Sequence, residues 1–176
     1  VRLLGAVALL EAALTRRAAT RKRMATEKKL QAAMAKAFRA QGRAFVRELG
    51  AVRSTYPIAE AARWGDWAAK FDKAVAATVQ LFTGPVDAAT TSAVLLGAKA
   101  ILGTLKAGIG FDLANPRAVA WLAENPAAER VTMITETTRG YIAALVDRAV
   151  EDGASYSELA RRITDRYEEM AAGKPQ

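Results

Sequence analysis

Four cations recur along one stretch of the chain, Lys36, Arg39, Arg43 and Arg47, at spacings of three, four and four residues. On a helix these positions share a face. Upstream lies a denser and less regular set: Arg16, Arg17, Arg21, Lys22, Arg23, Lys28 and Lys29. Cations spaced along a rod are what phosphate contacts require, and such contacts position a protein on a duplex without reading its bases. The charge is local. Residues 1–50 hold 12 Lys/Arg against 3 Asp/Glu, whereas residues 51–176 hold 14 against 15. The basicity therefore belongs to the N-terminal segment and points to a polyanionic partner for it. Two other readings compete with duplex DNA. One is a helix face that is simply solvated or that meets an acidic protein surface, and the other is a surface of anionic lipid.

The other chemistry-bearing residues point away from catalysis. The chain has no Cys and no His, which removes disulfides, thiolate metal sites, thiol nucleophiles and the commonest general base. Carboxylates cluster at Asp147, Glu151 and Asp152 and again at Asp165, Glu168 and Glu169, but Arg148, Arg161, Arg162 and Arg166 lie among them at helical spacings. An ion-paired, solvated helix face is the expectation there, in place of a metal or hydrolase site. "GAKAILGTLKAGIG" (97–110) lacks the G-x-x-x-x-G-K-[ST] spacing of a phosphate loop, and no strand precedes it. Ser155 stands three residues before Glu158, the spacing of a helix cap, and has no His to activate it. Trp64, Trp67 and Trp121 are the candidates for base stacking, although Trp67 and Trp121 fall on apolar stripes and read better as core. No catalytic residue, metal ligand or cofactor is assigned, and no enzymatic activity is expected.

These residues must be carried on helices. Apolar residues make up 52% of the 176 residues, Ala dominates them, and aromatics are only 7%, a mix suited to close helix packing. Residues 2–50 contain no Pro and allow one very long helix, or two with a break near Thr20–Thr26. From Leu30 onward, Leu30, Met34, Phe38, Phe45 and Leu49 form an apolar face opposite the cationic stripe. Leu3–Leu14 is apolar but about a dozen residues long and interrupted by Glu11. That is too short to cross a bilayer, so a packing or oligomer-contact helix is expected and a membrane is not expected as partner. Further along, Trp67–Phe82 reads as a helix with Trp67, Phe71, Val75, Val79 and Phe82 inward. Gly84-Pro85 then resets the chain before a helix to about Lys106, closed by Gly108-Ile109-Gly110.

Asn115-Pro116 and Asn125-Pro126 each pair a capping side chain with a proline suited to the first helical position, and each should open a helix. The second of these should reach about Asp152, with Ile134, Thr138, Tyr141, Leu145 and Ala149 on one face. Its Thr-rich start, "VTMITETT", leaves a short strand open as an alternative. Gly153 ends it, and a last helix carries Leu159, Ile163 and Tyr167 to about Ala172. The expected fold is all-α: a long basic N-terminal helical arm (1–50) followed by a compact multi-helix domain (51–176).

Three stretches, "LQAAMAKAFRAQGRAFVREL" (30–49), "FDLANPRAVAWL" (111–122) and "ITETTRGYIAALVDRAVEDGASYSELARRI" (134–163), resemble the tailed-phage minor head proteins, also called head morphogenesis or Mu F-like proteins. Phe111-Asp112-Leu113, Asn115-Pro116 and "ITETTR" are the more specific parts of the likeness. The resemblance implies a structural protein of the virion at the portal vertex, made in the host cytoplasm, with residues 51–176 as the head-morphogenesis domain. It also implies a further segment beyond Gln176. The implied partners are portal or major capsid protein and double-stranded DNA without sequence preference, and a homo-oligomer is allowed. A protein-only assembly module docking on portal or scaffold, and a membrane-active DNA-ejection protein, stand as rival functions.

Overall fold

The computed structural model describes residues 2–49, 58, 64–105, 119–120, 123–124 and 127–173. Among them the regular structure is entirely α-helical, and no strand occurs. Four helices have defined bounds: α1 (Arg2–Glu48), α2 (Trp64–Leu105), α3 (Ala127–Glu151) and α4 (Tyr156–Ala171). The chain groups into two compact units whose boundaries fall within α1 and α2. Unit 1 comprises Val1–Leu30 and Val86–Pro126, and unit 2 comprises Gln31–Pro85 and Ala127–Gln176.

The first helix runs unbroken through Thr20–Thr26. Thr26 adapts to it by donating its hydroxyl hydrogen to the Lys22 carbonyl oxygen at 3.1 Å, a hydrogen bond to its own preceding turn. With no Pro and a run of strong helix formers, nothing local breaks the helix at Thr20–Thr26.

A reset at Gly84-Pro85 does not occur, because α2 continues through Pro85 to Leu105. Proline removes one backbone donor and crowds the preceding turn. Here buried positions continue at four-residue intervals on both sides of it, at Thr78, Phe82, Val86 and Thr90. Packing on either side thus favours a single helix over a local preference to stop. The same packing moves the inward face from the sequence expectation. Trp67, Phe71, Ala74, Thr78 and Phe82 are buried, and Val75 and Val79 are only half-buried. Thr78 is accommodated by a 2.7 Å hydrogen bond from its hydroxyl to the Ala74 carbonyl oxygen.

The Thr-rich start of α3 is helical. Thr137 and Thr138 donate their hydroxyl hydrogens to the carbonyls of Met133 and Ile134, which answers the polar demand of β-branched residues within the helix. Its inward face is Val131, Thr138, Ile142, Val146 and Ala149. Tyr141 and Leu145, expected inward, yield to the residues that follow them; Tyr141 is exposed and Leu145 half-buried.

The α3–α4 junction follows local rules closely. Gly153 takes a positive φ of 65°, its N–H bonds to the Val150 carbonyl, and the Ala154 N–H bonds to the Ala149 carbonyl. This pair of bonds closes the helix end in the Schellman manner. Ser155 then caps α4, accepting a 3.2 Å hydrogen bond from the Glu158 backbone N–H. The Glu158 carboxylate does not complete a capping box but pairs with Arg162. Leu159, Ile163 and Tyr167 are the buried stripe of α4, as their spacing requires.

The core of unit 2 joins all four helices' contributions to that unit. Phe45 and Leu49 of α1, Trp67 and Phe71 of α2, Ile142 and Val146 of α3, and Leu159, Ile163 and Tyr167 of α4 form one cluster. Phe45 meets Phe71 edge-to-face at 5.6 Å, and Phe38 meets Phe82 likewise at 5.2 Å. Residues 31–49 are therefore structural core of unit 2 as well as carriers of cations. Asn115-Pro116, Asn125-Pro126 and Gly108-Ile109-Gly110 lie outside the described residues.

Candidate nucleic-acid interface

The inward face of α1 in unit 2 determines where its cations sit. Ala37, Gln41, Ala44, Phe45 and Leu49 are buried, and Gly42 lies so close to the Tyr167 ring that a Cβ there would fall 2.7 Å from it. With that side committed to the core, Lys36, Arg39, Arg43 and Arg47 are all exposed. They extend over about 16 Å of helix at 1.5 Å per residue. Among the described residues, Lys36, Arg43 and Arg47 have no ion-pair partner. Arg39 differs: its Nε donates to both carboxylate oxygens of Glu168 on α4, at 2.8 and 3.1 Å.

In unit 1, Arg17, Arg21, Lys22, Arg23, Lys28 and Lys29 are exposed on α1. Arg23 pairs with Glu27 at 3.0 Å. The other five have no ion-pair partner among the described residues. The side chain of Arg16 lies outside them. The described acidic side chains of α1 are already engaged. Glu27 is held by Arg23, and Glu48 is held by Lys73 of α2 at 2.7 Å.

On α4 the carboxylates and arginines form the ion-paired face that their spacing implies, and Asp152, just past α3, pairs across to α4. Arg162 donates to Asp152 at 2.6 Å and to Glu158 at 2.8 Å, Arg161 pairs with Asp165 at 3.1 Å, and Arg166 pairs with Glu169 at 2.9 Å. The hydrogen bonds that Arg162 donates to Asp152 and Glu158 hold its guanidinium even more firmly in its charged form. Among the described residues no group of three or more acids is placed to hold a metal ion. None of the described helices is long and apolar enough to cross a membrane.

Trp67 offers no base-stacking platform. It is buried in the core, with its ring 5.5 Å from Tyr156 and the Lys70 ammonium 5.0 Å above it. Its indole N–H has no acceptor among the described residues. The side chains of Trp64 and Trp121 lie outside the described residues.

Sequence reasoning missed one residue of the cationic surface. Lys99 of α2 lines a groove in unit 1 together with Lys22 and Lys29 of α1. The available signal was the run Leu95, Leu96 and Lys99, which places a cation one turn beyond two apolar residues. Lys99 carried no meaning while the segment was weighed only as a phosphate loop. No family model matches the chain, and neither the curated proteins nor the solved structures yielded a similar protein.

Proposed function

We propose that the chain is a structural protein of a tailed-phage head, placed at the portal vertex, which helps head assembly and touches packaged double-stranded DNA without reading its sequence. The observation that carries the DNA contact is the exposed cationic side of α1, where Lys36, Arg43 and Arg47 stand without acidic partners among the described residues while the opposite side is locked into a core. A rigidly held row of unneutralised cations favours a polyanion, because binding releases the counterions condensed on it. Arg17, Arg21 and Lys28 add to the same field. Among the described residues no base-reading arrangement accompanies the row, which suits contact with any sequence. The place in the virion and the portal or major capsid partner follow from the likeness of residues 30–49, 111–122 and 134–163 to minor head proteins. On this reading the protein acts in the virion, after assembly in the host cytoplasm, and performs no catalytic step.

The test is fluorescence anisotropy of a random-sequence duplex across a salt series, with the chain and a Lys36→Gln/Arg39→Gln/Arg43→Gln/Arg47→Gln variant. Log affinity should fall by about 0.9 per phosphate contact for each tenfold rise in salt, and the variant should show a shallower slope. Absence of binding at low salt would remove the DNA role. Co-sedimentation with portal or major capsid protein tests the place in the head separately.

A further inference from the structure

Unit 1 contains a groove of about 350 Å³ whose composition differs from the cationic row on residues 36–47. Lys22, Ala25, Thr26 and Lys29 line it from α1, and Ser92, Leu95, Leu96 and Lys99 from α2. Leu95 and Leu96 are half-buried, whereas the three lysines are exposed. Among the described residues no carboxylate lines the groove, and the lysines have no ion-pair partner. The result is an apolar floor flanked by three lysines and the hydroxyl residues Thr26 and Ser92, with lysine as the charged lining.

We propose that this groove seats an acidic amphipathic helix of a partner protein. Its apolar side chains would cover Leu95 and Leu96, and its carboxylates would meet Lys22, Lys29 and Lys99. Each side of the groove is a helix face two turns long, with lining residues at i, i+3, i+4 and i+7 on both α1 and α2. A third helix laid along such a groove presents anchors at the matching spacing. The volume suits a few side chains of one helix and is far too small for a folded domain. Charge complementarity sets the sign of the partner, and the leucines set its class. Phosphates bring no apolar surface, so a duplex on this groove would gain nothing from Leu95 and Leu96, whereas burying apolar area is what an amphipathic helix contributes. Lys22 and Lys29, which charge alone assigns to DNA, are thereby separated from the row at residues 36–47.

The test uses the full chain and a fluorescein-labelled synthetic helix of about 15 residues, long enough to hold helical structure, with a leucine stripe flanked by glutamates. A second peptide keeps every glutamate and replaces the leucines by glutamine. The groove predicts at least tenfold tighter binding of the leucine peptide. It also predicts at least a tenfold loss with Lys22→Gln/Lys29→Gln/Lys99→Gln, whose exposed positions leave the fold intact by circular dichroism. Equal binding of the two peptides, no binding of either, or indifference to the three lysines would overturn the proposal. So would a Lys99→Gln variant whose duplex affinity drops as far as that of the variant in residues 36–47, which would give the groove to DNA. A chain that binds the leucine peptide and no duplex at all separates failure of the DNA reading from failure of this one.

Discussion

Two helices of this protein are rich in arginine and lysine and yet are electrostatically unlike. On α4, Arg161, Arg162 and Arg166 each sit one helical turn or less from a carboxylate and are paired with it. On α1, Lys36, Arg43 and Arg47, together with Arg17, Arg21, Lys22, Lys28 and Lys29, make no ion pair among the described residues. Residue type is the same in both places, and the difference is the local supply of acids. Where glutamates and aspartates alternate with arginines at helical spacing, the charges satisfy one another in cis and the surface is close to neutral. Where they do not, the field extends into solvent and attracts a polyanion. A basic helix is thus a candidate binding surface in proportion to the acids it lacks.

That contrast can be broken in several places. The largest effect should come from Phe45→Ala, which empties the position where α1 meets Phe71. A loss of about 3–5 kcal/mol in urea unfolding is expected, as for buried aromatics generally. Unchanged stability would make residues 31–49 a detachable arm instead of core. Next, neutralising the α1 row should lower the magnitude of the salt slope for duplex binding by about 3, roughly 0.9 for each of Lys36, Arg43 and Arg47. Arg161→Gln/Arg162→Gln/Arg166→Gln should leave duplex affinity within about twofold, since those charges are already neutralised by their neighbours. Equal losses in the two variants would erase the distinction between the helices.

Gly42→Ala should cost about 1–3 kcal/mol, because the added methyl meets the Tyr167 ring wedged between α1 and α4. The Tyr167 phenol also sets an alkaline limit. Burial pushes its ionisation well above the ordinary value of about 10. The folded chain therefore keeps a proton that the unfolded chain releases. Its contribution is fully present below about pH 10 and is lost as pH rises beyond, at no more than about 1.4 kcal/mol per pH unit. Denaturant titrations between neutral pH and pH 11 should show that decline, and Tyr167→Phe should flatten it. The smallest effect belongs to Glu168→Gln. The pair with Arg39 is half exposed and should be worth less than about 1 kcal/mol. Releasing Arg39 should raise duplex affinity by a few fold, and a decrease would show that Arg39 does not belong to the binding row.

The comparison between the helices was half legible in the chain. The arginine–carboxylate spacing on α4 announces its own pairing, because i and i+4 neighbours meet on any helix. The cations of α1 were also visible, together with the apolar face opposite them. What spacing did not reveal was that Arg39 leaves that row for Glu168, a residue 129 positions away. Nor did it reveal that Lys99 joins Lys22 and Lys29 around two leucines, since a pattern within one helix says nothing about which other helix faces it.

The amino-acid sequence alone determined the helical class, the stop at Gly153, the cap at Ser155 and the buried stripe Leu159, Ile163 and Tyr167. Each of these rests on contacts within a few residues, where backbone geometry leaves few choices. Tertiary structure decided the rest. It carried α2 through Pro85, moved the inward faces of α2 and α3, and turned residues 31–49 from an arm into core. In each case burial against distant helices outweighed a local preference of only a few kcal/mol, and the identity of those distant partners is not written in local spacing.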